Sequence, residues 1–260
     1  MIDLLHLEFR RLFRAKSFYI CTVIALAMIV ISAATTKMLL DIAAKATEDI
    51  SAAFGAESLQ TPTGLSLLKG TATSSLTTIL AIFLSIFVTE DYQSDIIKNI
   101  YAKGNSRDRV FFAKYVSAIA ASLIMTLVAA LFSFGTGKVL FGKVGEMGKN
   151  YVASLFAELL MVLAYATVFF VVAISIKKTG AAIAISIIAP LLISLFLSLG
   201  NAAINSETIS LTDYWLDGRI SILARADVEG KDLLLGYILG AVYLLAAGGA
   251  GFLINRTSKK

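Results

Sequence analysis

Residues 152–176 read VASLFAELLMVLAYATVFFVVAISI, and Glu158 is the only charged side chain among them. A helix needs about 20 apolar residues to cross the hydrocarbon core of a bilayer, so this stretch is long enough to span a membrane. Comparable runs lie on both sides of it, at residues 17–36, 69–88, 110–137, 179–199 and 233–254. The sequence therefore predicts an all-α membrane protein with six transmembrane helices in a single domain, residues 1–260.

Composition excludes several other classes of protein. The chain has 260 residues, of which 58% are hydrophobic and 16% are charged, and its mean hydropathy is +0.82. An ordinary soluble domain carries more polar surface than this. The single cysteine, Cys21, lies inside the first apolar run, and the single histidine, His6, lies ahead of it. We therefore expect no intramolecular disulfide, no metal site and no enzymatic active site in this chain.

The distribution of charge predicts an orientation. If the N-terminus is cytoplasmic, the inner segments hold 14 of the 23 basic residues and six of the 18 acidic residues, a net charge of +8. Cytoplasmic loops of membrane proteins carry such an excess of lysine and arginine. The sequence thus predicts a multi-pass protein of the cell membrane with both termini in the cytoplasm. Because the basic residues are scattered between apolar runs, we do not expect a nucleic-acid partner.

Residues 1–16 form a predicted amphipathic helix ahead of the first span. Apolar residues recur at helical spacing on one side of it, namely Ile2, Leu5, Phe9, Leu12 and Phe13. We expect the helix to lie in the inner headgroup layer, with three basic residues facing anionic lipid: Arg10, Arg11 and Arg14. The following apolar run is longer than the core of a signal peptide and has no convincing cleavage site, so an uncleaved anchor is expected.

The loop between the second and third spans has helical character of its own. Four apolar residues gather on one helical stripe: Ile96, Ile97, Ile100 and Tyr101. Asp91 stands near the predicted start of this helix, and Gly104 supplies a stop after it. A bare connector between antiparallel spans needs only a few residues, whereas about twenty are used here. We therefore predict a helix at residues 91–103 that acts as a docking surface.

The chain resembles the type-2 permeases of ATP-binding-cassette (ABC) transporters. The resemblance rests on the amphipathic N-terminal helix, the six spans, the long segment between spans five and six, and a pattern after span two. That pattern is Glu90-x-x-x-Ser94-x-Ile96-Ile97-Lys98, then Ser106-Arg107, then Lys114-Tyr115. The resemblance implies that this loop is a coupling helix, which contacts a cytoplasmic ATPase through the following residues: Glu90, Asp91, Ile96, Ile97, Lys98, Ile100 and Tyr101.

The resemblance also implies partners that this chain lacks. ATP and Mg would bind a separate ATPase subunit, because the one near match to a phosphate-binding loop, at residues 137–144, ends in valine instead of serine or threonine. A second permease copy or a related permease would complete the transport path. Small permeases of this kind resemble exporters or immunity factors for amphipathic and antimicrobial peptides. An ATP-independent secondary transporter or channel, and a non-transporting immunity or scaffold protein, are the alternatives.

Two residues within the spans are candidates for a substrate path or gate. Glu158 is an acid well inside the fourth apolar run, and carboxylates there usually face a bundle interior, a cavity or a partner. Pro190 lies in the middle of the fifth run, where it removes a helical hydrogen bond. After that run, residues 214–216 read Tyr-Trp-Leu. They predict either an aromatic belt at the interface or a short helix that caps the outer end of a substrate path.

Overall fold

The computed structural model describes residues 2–45, 62–71, 76–94, 96–102, 106–204, 210–225 and 227–257. These residues are 89% helical and contain no strand, which confirms the all-α prediction. Their α-helices, in chain order, are α1 Ile2–Arg14, α2 Lys16–Lys45, α3 Gly64–Lys69, α4 Leu76–Gln93, α5 Ile96–Ala102, α6 Arg107–Phe141, α7 Tyr151–Ile176, α8 Thr179–Ile204, α9 Leu216–Leu223 and α10 Gly230–Thr257. A 3-10 helix, Leu211–Tyr214, stands just ahead of α9.

Six of these helices are long and apolar enough to cross a membrane, as predicted: α2, α4, α6, α7, α8 and α10. In hydrocarbon a helix satisfies every backbone polar group internally, which is why apolar runs of this length fold this way. The predicted start of the second span at Lys69 is wrong. Lys69 ends the separate helix α3, which begins with a capping box formed by Thr63 and Ser66, and α4 begins at Leu76.

Helix α7 lies at the centre of the bundle. It packs against α4, α6, α8, α9 and α10, while α2 packs against α4 and α6. Within the most apolar stretch of 18 residues in each helix, 61% of the residues of α4 and 56% of those of α7 are buried. The corresponding share is 11% in both α8 and α10. The described part of the chain is thus a core of α4 and α7 wrapped by helices whose outer faces are apolar and open.

Glycines allow α10 to approach α7 closely. The buried residues of α10 are Gly236, Gly240 and Gly251. A Cβ atom placed on Gly240 would lie 2.9 Å from Cγ of Leu160, and one placed on Gly251 would lie 2.7 Å from Cγ2 of Val171. Both distances are below normal van der Waals contact, so these two positions require the absence of a side chain.

The two ends of the bundle differ in character. A hydrogen-bonded ion pair of 2.8 Å between Arg256 and Asp108 joins the last turn of α10 to the first turn of α6. We call this the terminal end, because α1 and the end of α10 lie there, and the opposite one the loop end. The segment that leads back from the loop end carries Trp215, which packs edge to face against Tyr165 near the middle of α7, with ring centroids 6.4 Å apart. Trp215 therefore turns into the bundle instead of joining a belt, whereas Tyr214 stays exposed.

Candidate functional site

Four charged side chains form a buried cluster at the terminal end of the bundle. Glu8 and Arg11 come from α1, Asp91 from the last turn of α4, and Lys114 from the third turn of α6. We call these four residues the ion cluster. Asp91 bridges the other elements, because one carboxylate oxygen pairs with Arg11 and the other pairs with Lys114. The cluster thus ties the N-terminal helix to the facing ends of the second and third spans.

The surroundings of the ion cluster are nearly free of solvent. Asp91 and Glu8 are at most 1% exposed and Lys114 is 2% exposed. Lys114 also donates a hydrogen bond of 3.3 Å to the carbonyl oxygen of Val88, and Arg11 lies 3.7 Å from a Glu8 oxygen. Two acids and two bases leave the cluster without net charge. Burial raises the pKa of Glu8. The nearby charge of Lys114 lowers this pKa, and the charge of Asp91 raises it.

Helix α5 packs onto the same three elements as the ion cluster. Ile100 is buried in a small apolar core with Leu4 of α1 and with Val110 and Ala113 of α6. Tyr101 packs at the edge of this core, where burial raises its pKa and Arg107 lies over its ring at 6.0 Å. Helix α5 also contacts α4. Helix α5 therefore contacts α1 and two spans at once.

The observed loop differs from the predicted helix at residues 91–103. The helix α4 continues through Asp91 to Gln93, and Ser94 then binds the carbonyl oxygen of Glu90 through its amide and its hydroxyl. Asp91 therefore belongs to a span and faces inward, because two cations hold it there. The separate helix α5 begins at Ile96. Gly104, the predicted stop, lies outside the described residues.

The predicted docking stripe is divided by the structure. Glu90 and Ile96 are exposed, as a contact with a partner requires. Ile100 points inward because its partners on α1 and α6 cover it, so it cannot belong to an exposed docking face. The side chains of Ile97 and Lys98 lie outside the described residues. The docking role of Glu90, Ile96, Ile97, Lys98 and Tyr101 stays a prediction.

The basic residues of α1 have two environments. Arg10 and Arg14 are exposed, which is compatible with their predicted position at anionic headgroups. Arg11 departs from that prediction, because its guanidinium pairs with the buried Asp91 and lies over the ring of Phe87. The buried stripe of the helix is Leu4, Glu8 and Leu12. Helix α1 thus packs on protein along one face, mainly against α6.

Glu158 lines an apolar groove of about 340 Å³ near the loop end. The groove runs between α6 and α7, and it also contains Thr71, Thr126 and Phe156. Glu158 is buried, and its negative charge acts on Lys69 of α3. Burial lowers the pKa of Lys69, which the charge of Glu158 opposes. Glu158 therefore lines the groove and is near enough to Lys69 to influence its pKa.

Lys69 in turn connects parts of the loop end. Its ammonium group donates a hydrogen bond to the carbonyl oxygen of Arg225, ahead of α10, and lies 5.2 Å from the ring centroid of Tyr151 on α7. The hydroxyl of Tyr151 donates to the carbonyl oxygen of Leu65 in α3. Helix α3 is thus fixed to α7 and to the chain before α10.

Pro190 lies in a different cavity from Glu158. It lines a cleft of about 230 Å³ between α4, α7 and α8, and Asp217 of α9 also lines this cleft. The two residues predicted as a path or gate therefore do not share a site. Their roles in transport stay predictions.

Sequence reasoning missed three of the residues that organise these regions. Lys114 lies near the start of the third span, where a lysine can extend towards the interface, but it is buried against Asp91. Glu8 lies four residues from both Leu4 and Leu12, so the three share one face of the helix, and this spacing indicates that Glu8 is buried. No sequence pattern singled out Asp217 as a site residue, because it lies in a polar segment. In the described ranges, no three His, Cys, Asp or Glu side chains could hold a metal ion.

Comparison with known proteins places this arrangement in a family. The model of the ABC-2 family transporter protein matches residues 4–201, which include α1, the loop with α5 and the first five spans. No curated protein and no solved structure matches the chain. The matched segment covers most of the sequence and ends before the segment that holds Trp215 and Asp217. The chain therefore belongs to the ABC-2 family of transporter proteins and is a type-2 ABC transporter permease.

Proposed function

We propose that this chain is the membrane-spanning subunit of an ATP-driven exporter, with its terminal end in the cytoplasm. The observation that carries the proposal is the packing of α5, which contacts α1, α4 and α6. Family membership implies ABC ATPase subunits as partners, and α5 with the end of α4 is the surface we assign to them. The excess of basic residues predicted for this side supports the orientation.

The ion cluster gives this surface a way to move the spans. Removing one partner from a buried ion pair costs about 3–5 kcal/mol, so pairs of this kind do not separate readily. Asp91 pairs with Arg11 of α1 and Lys114 of α6. A push on α5 by a closing ATPase therefore moves α1 and the adjoining ends of α4 and α6 as one body. Arg10 and Arg14 of α1 would stay at the headgroups during this movement.

In this proposal, ATP is hydrolysed by the partner subunits and not by this chain. ATP and Mg bind the separate ATPase subunits, and this chain supplies the path. A second permease copy, or a related permease, completes that path. The open apolar faces of α8 and α10 are compatible with lipid and with such a partner. The cargo is a hydrophobic or amphipathic molecule, with amphipathic and antimicrobial peptides suggested by the resemblance to small export and immunity permeases.

Substitution of the exposed Ile96 tests the proposal. The chain is coexpressed with ABC ATPases encoded beside it, and copurification and ATP hydrolysis are measured. We expect Ile96→Asp to keep the folded yield and to lose most of the bound ATPase, because the new charge must be buried at the contact. Val139→Asp is the control, because Val139 is 82% exposed at the loop end of α6 and should change nothing. Ile100→Asp should instead reduce the folded yield, because Ile100 is buried.

An absence of any copurifying ATPase with the unmodified chain would contradict the proposal. One observation favours the alternative of an ATP-independent secondary transporter, namely that a proline within a span and a carboxylate, Pro190 and Asp217, line the same cleft. Transport by vesicles that contain the chain, an ion gradient and no ATPase would establish that alternative.

A further inference from the structure

The segment that follows the fifth span turns back into the helix bundle. Trp215 packs against Tyr165, which is the fifteenth residue of α7 and therefore lies about 21 Å along that helix from its start at the loop end. The ring of Trp215 also packs edge to face against Tyr243 of α10, with centroids 6.0 Å apart. Since the hydrocarbon core is about 30 Å thick, the residues beside Trp215 stand well inside the span of the membrane.

The carboxylate of Asp217 is held in place by neutral donors. Its Oδ2 atom accepts a hydrogen bond of 3.0 Å from the hydroxyl of Ser194 and one of 3.2 Å from Nε1 of Trp215. Arg219 is the nearest base along the chain, but it binds Asp232 and the carbonyl oxygen of Asp213. Within the described ranges, no lysine or arginine forms an ion pair with Asp217. The carboxylate is thus fixed in position by neutral donors, and no basic side chain in the described part of the chain pairs with it.

The cleft beside Asp217 is suited to a cation. Hydroxyl-bearing and aromatic residues line it together with Pro190, namely Thr77, Thr78, Ser186, Tyr165 and Phe169. Hydroxyl oxygens and aromatic faces both favour positive charge, and a carboxylate within a membrane calls for a partner. A volume of about 230 Å³ admits one substituted ammonium group but not a whole peptide.

We propose that the Asp217 cleft is a binding site for an organic ammonium group, with Asp217 as its counter-ion. The proposal rests on the export function proposed above, since it assigns a chemical class to part of the cargo. An amine side chain of an amphipathic peptide and an amine of a lipid headgroup present the same chemistry to this cleft. Anionic cargo is excluded from it by the charge of Asp217.

The chain contains an internal reporter for this site. Trp215 is its only tryptophan, and its indole N–H is bonded to Asp217. Titration of the purified chain in a neutral detergent with hexyltrimethylammonium should give a saturable change in tryptophan emission. Hexanol, which has the same alkyl tail, and hexanesulfonate, which has the opposite charge, should give none. Equal responses to all three compounds would overturn the proposal, because the tail alone would then account for binding.

Three substitutions distinguish loss of the Asp217 charge from loss of the fold. Asp217→Asn keeps an oxygen that accepts from Ser194 and Trp215, and it should weaken binding of the probe at least tenfold, whereas Asp217→Glu should retain binding. Asp213→Asn makes the same change of charge on the same segment, outside the cleft lining, and should leave the affinity unchanged. The site would be refuted if the unmodified chain and Asp217→Asn bound the probe with equal affinity, once thermal denaturation has shown that both proteins are folded.

The source of the ammonium group follows from the same titration in nanodiscs. If a lipid headgroup occupies the cleft, phosphatidylethanolamine weakens probe binding relative to phosphatidylglycerol. If the cargo supplies the amine, the two lipids give the same affinity. The titration contains no ATPase, so loss of ATPase copurification with retained binding refutes the exporter alone. Retained ATPase coupling without probe binding refutes the cleft site alone.

Discussion

Replacing Asp91 with asparagine removes the one side chain that joins both cations of the ion cluster. Lys114 then keeps the carbonyl oxygen of Val88, the ring of Tyr92 5.1 Å away, and the nearby charge of Glu8, which it shares with Arg11. Arg11 keeps Glu8 at 3.7 Å and is 19% exposed. The larger cost therefore falls on Lys114, because this ammonium group loses its directly paired carboxylate where almost no solvent reaches it. The expected loss of stability is about 3–5 kcal/mol.

The measurement is equilibrium unfolding in mixed micelles with increasing sodium dodecyl sulfate, followed by the fluorescence of Trp215. A loss of this size lowers the ratio of folded to unfolded protein by about two to four orders of magnitude. Asp108→Asn is the matched control. Asp108 pairs with Arg256 at the same end of the bundle, but their side chains are 39% and 59% exposed. Exposed pairs contribute little, so this variant should unfold like the unmodified chain.

A double substitution separates lost charge balance from lost packing. Asp91→Asn with Lys114→Met leaves Glu8 and Arg11 as a neutral pair and should recover more than half of the loss, because apolar replacements of buried ion pairs are often neutral. If Asp91→Asn and Asp108→Asn shift the unfolding curve equally, the ion cluster does not hold α1, α4 and α6 together. The coupling route proposed above would then lose its basis.

Two further predictions concern packing and pH. Gly251→Val should destabilise the bundle by about 1–3 kcal/mol, because the new Cβ would overlap Val171. Gly249→Val is the control, because nothing lies within 4 Å of a Cβ atom placed on Gly249. Equal effects of the two substitutions would contradict close packing of α10. Burial raises the pKa of Glu8 above its ordinary value of 4.5, so the folded state holds this proton more tightly than the unfolded state does. The free energy of unfolding should therefore fall as pH rises from about 4.5 through the raised pKa. Glu8→Gln should lose this slope in unfolding measured across that range, and an unchanged slope would show that Glu8 is not the group responsible.

The sequence predicted the spans because insertion into a bilayer depends on length and hydropathy, which are local properties. All six appear as helices, and the main error in their boundaries is the start of the second, where Thr63 and Ser66 cap a separate helix before Lys69. Family resemblance and loop length located α5. They could not reveal that Ile100 is covered by Leu4 of α1, because helical spacing defines a face without stating what it meets.

Contacts between distant segments were decided only by the tertiary structure. Lys114 alone could extend to the interface, and only the arrival of Asp91 from α4 explains its burial. The meeting of Asp217 with Pro190 depends on how the chain after the fifth span folds back, which hydropathy does not encode. The sequence thus determined that the chain has six helices long and apolar enough to cross a membrane, and where the loop that carries α5 lies. The packing of the helices determined which charges are neutralised and which remain available, because the free energy of a buried charge depends on partners remote in sequence.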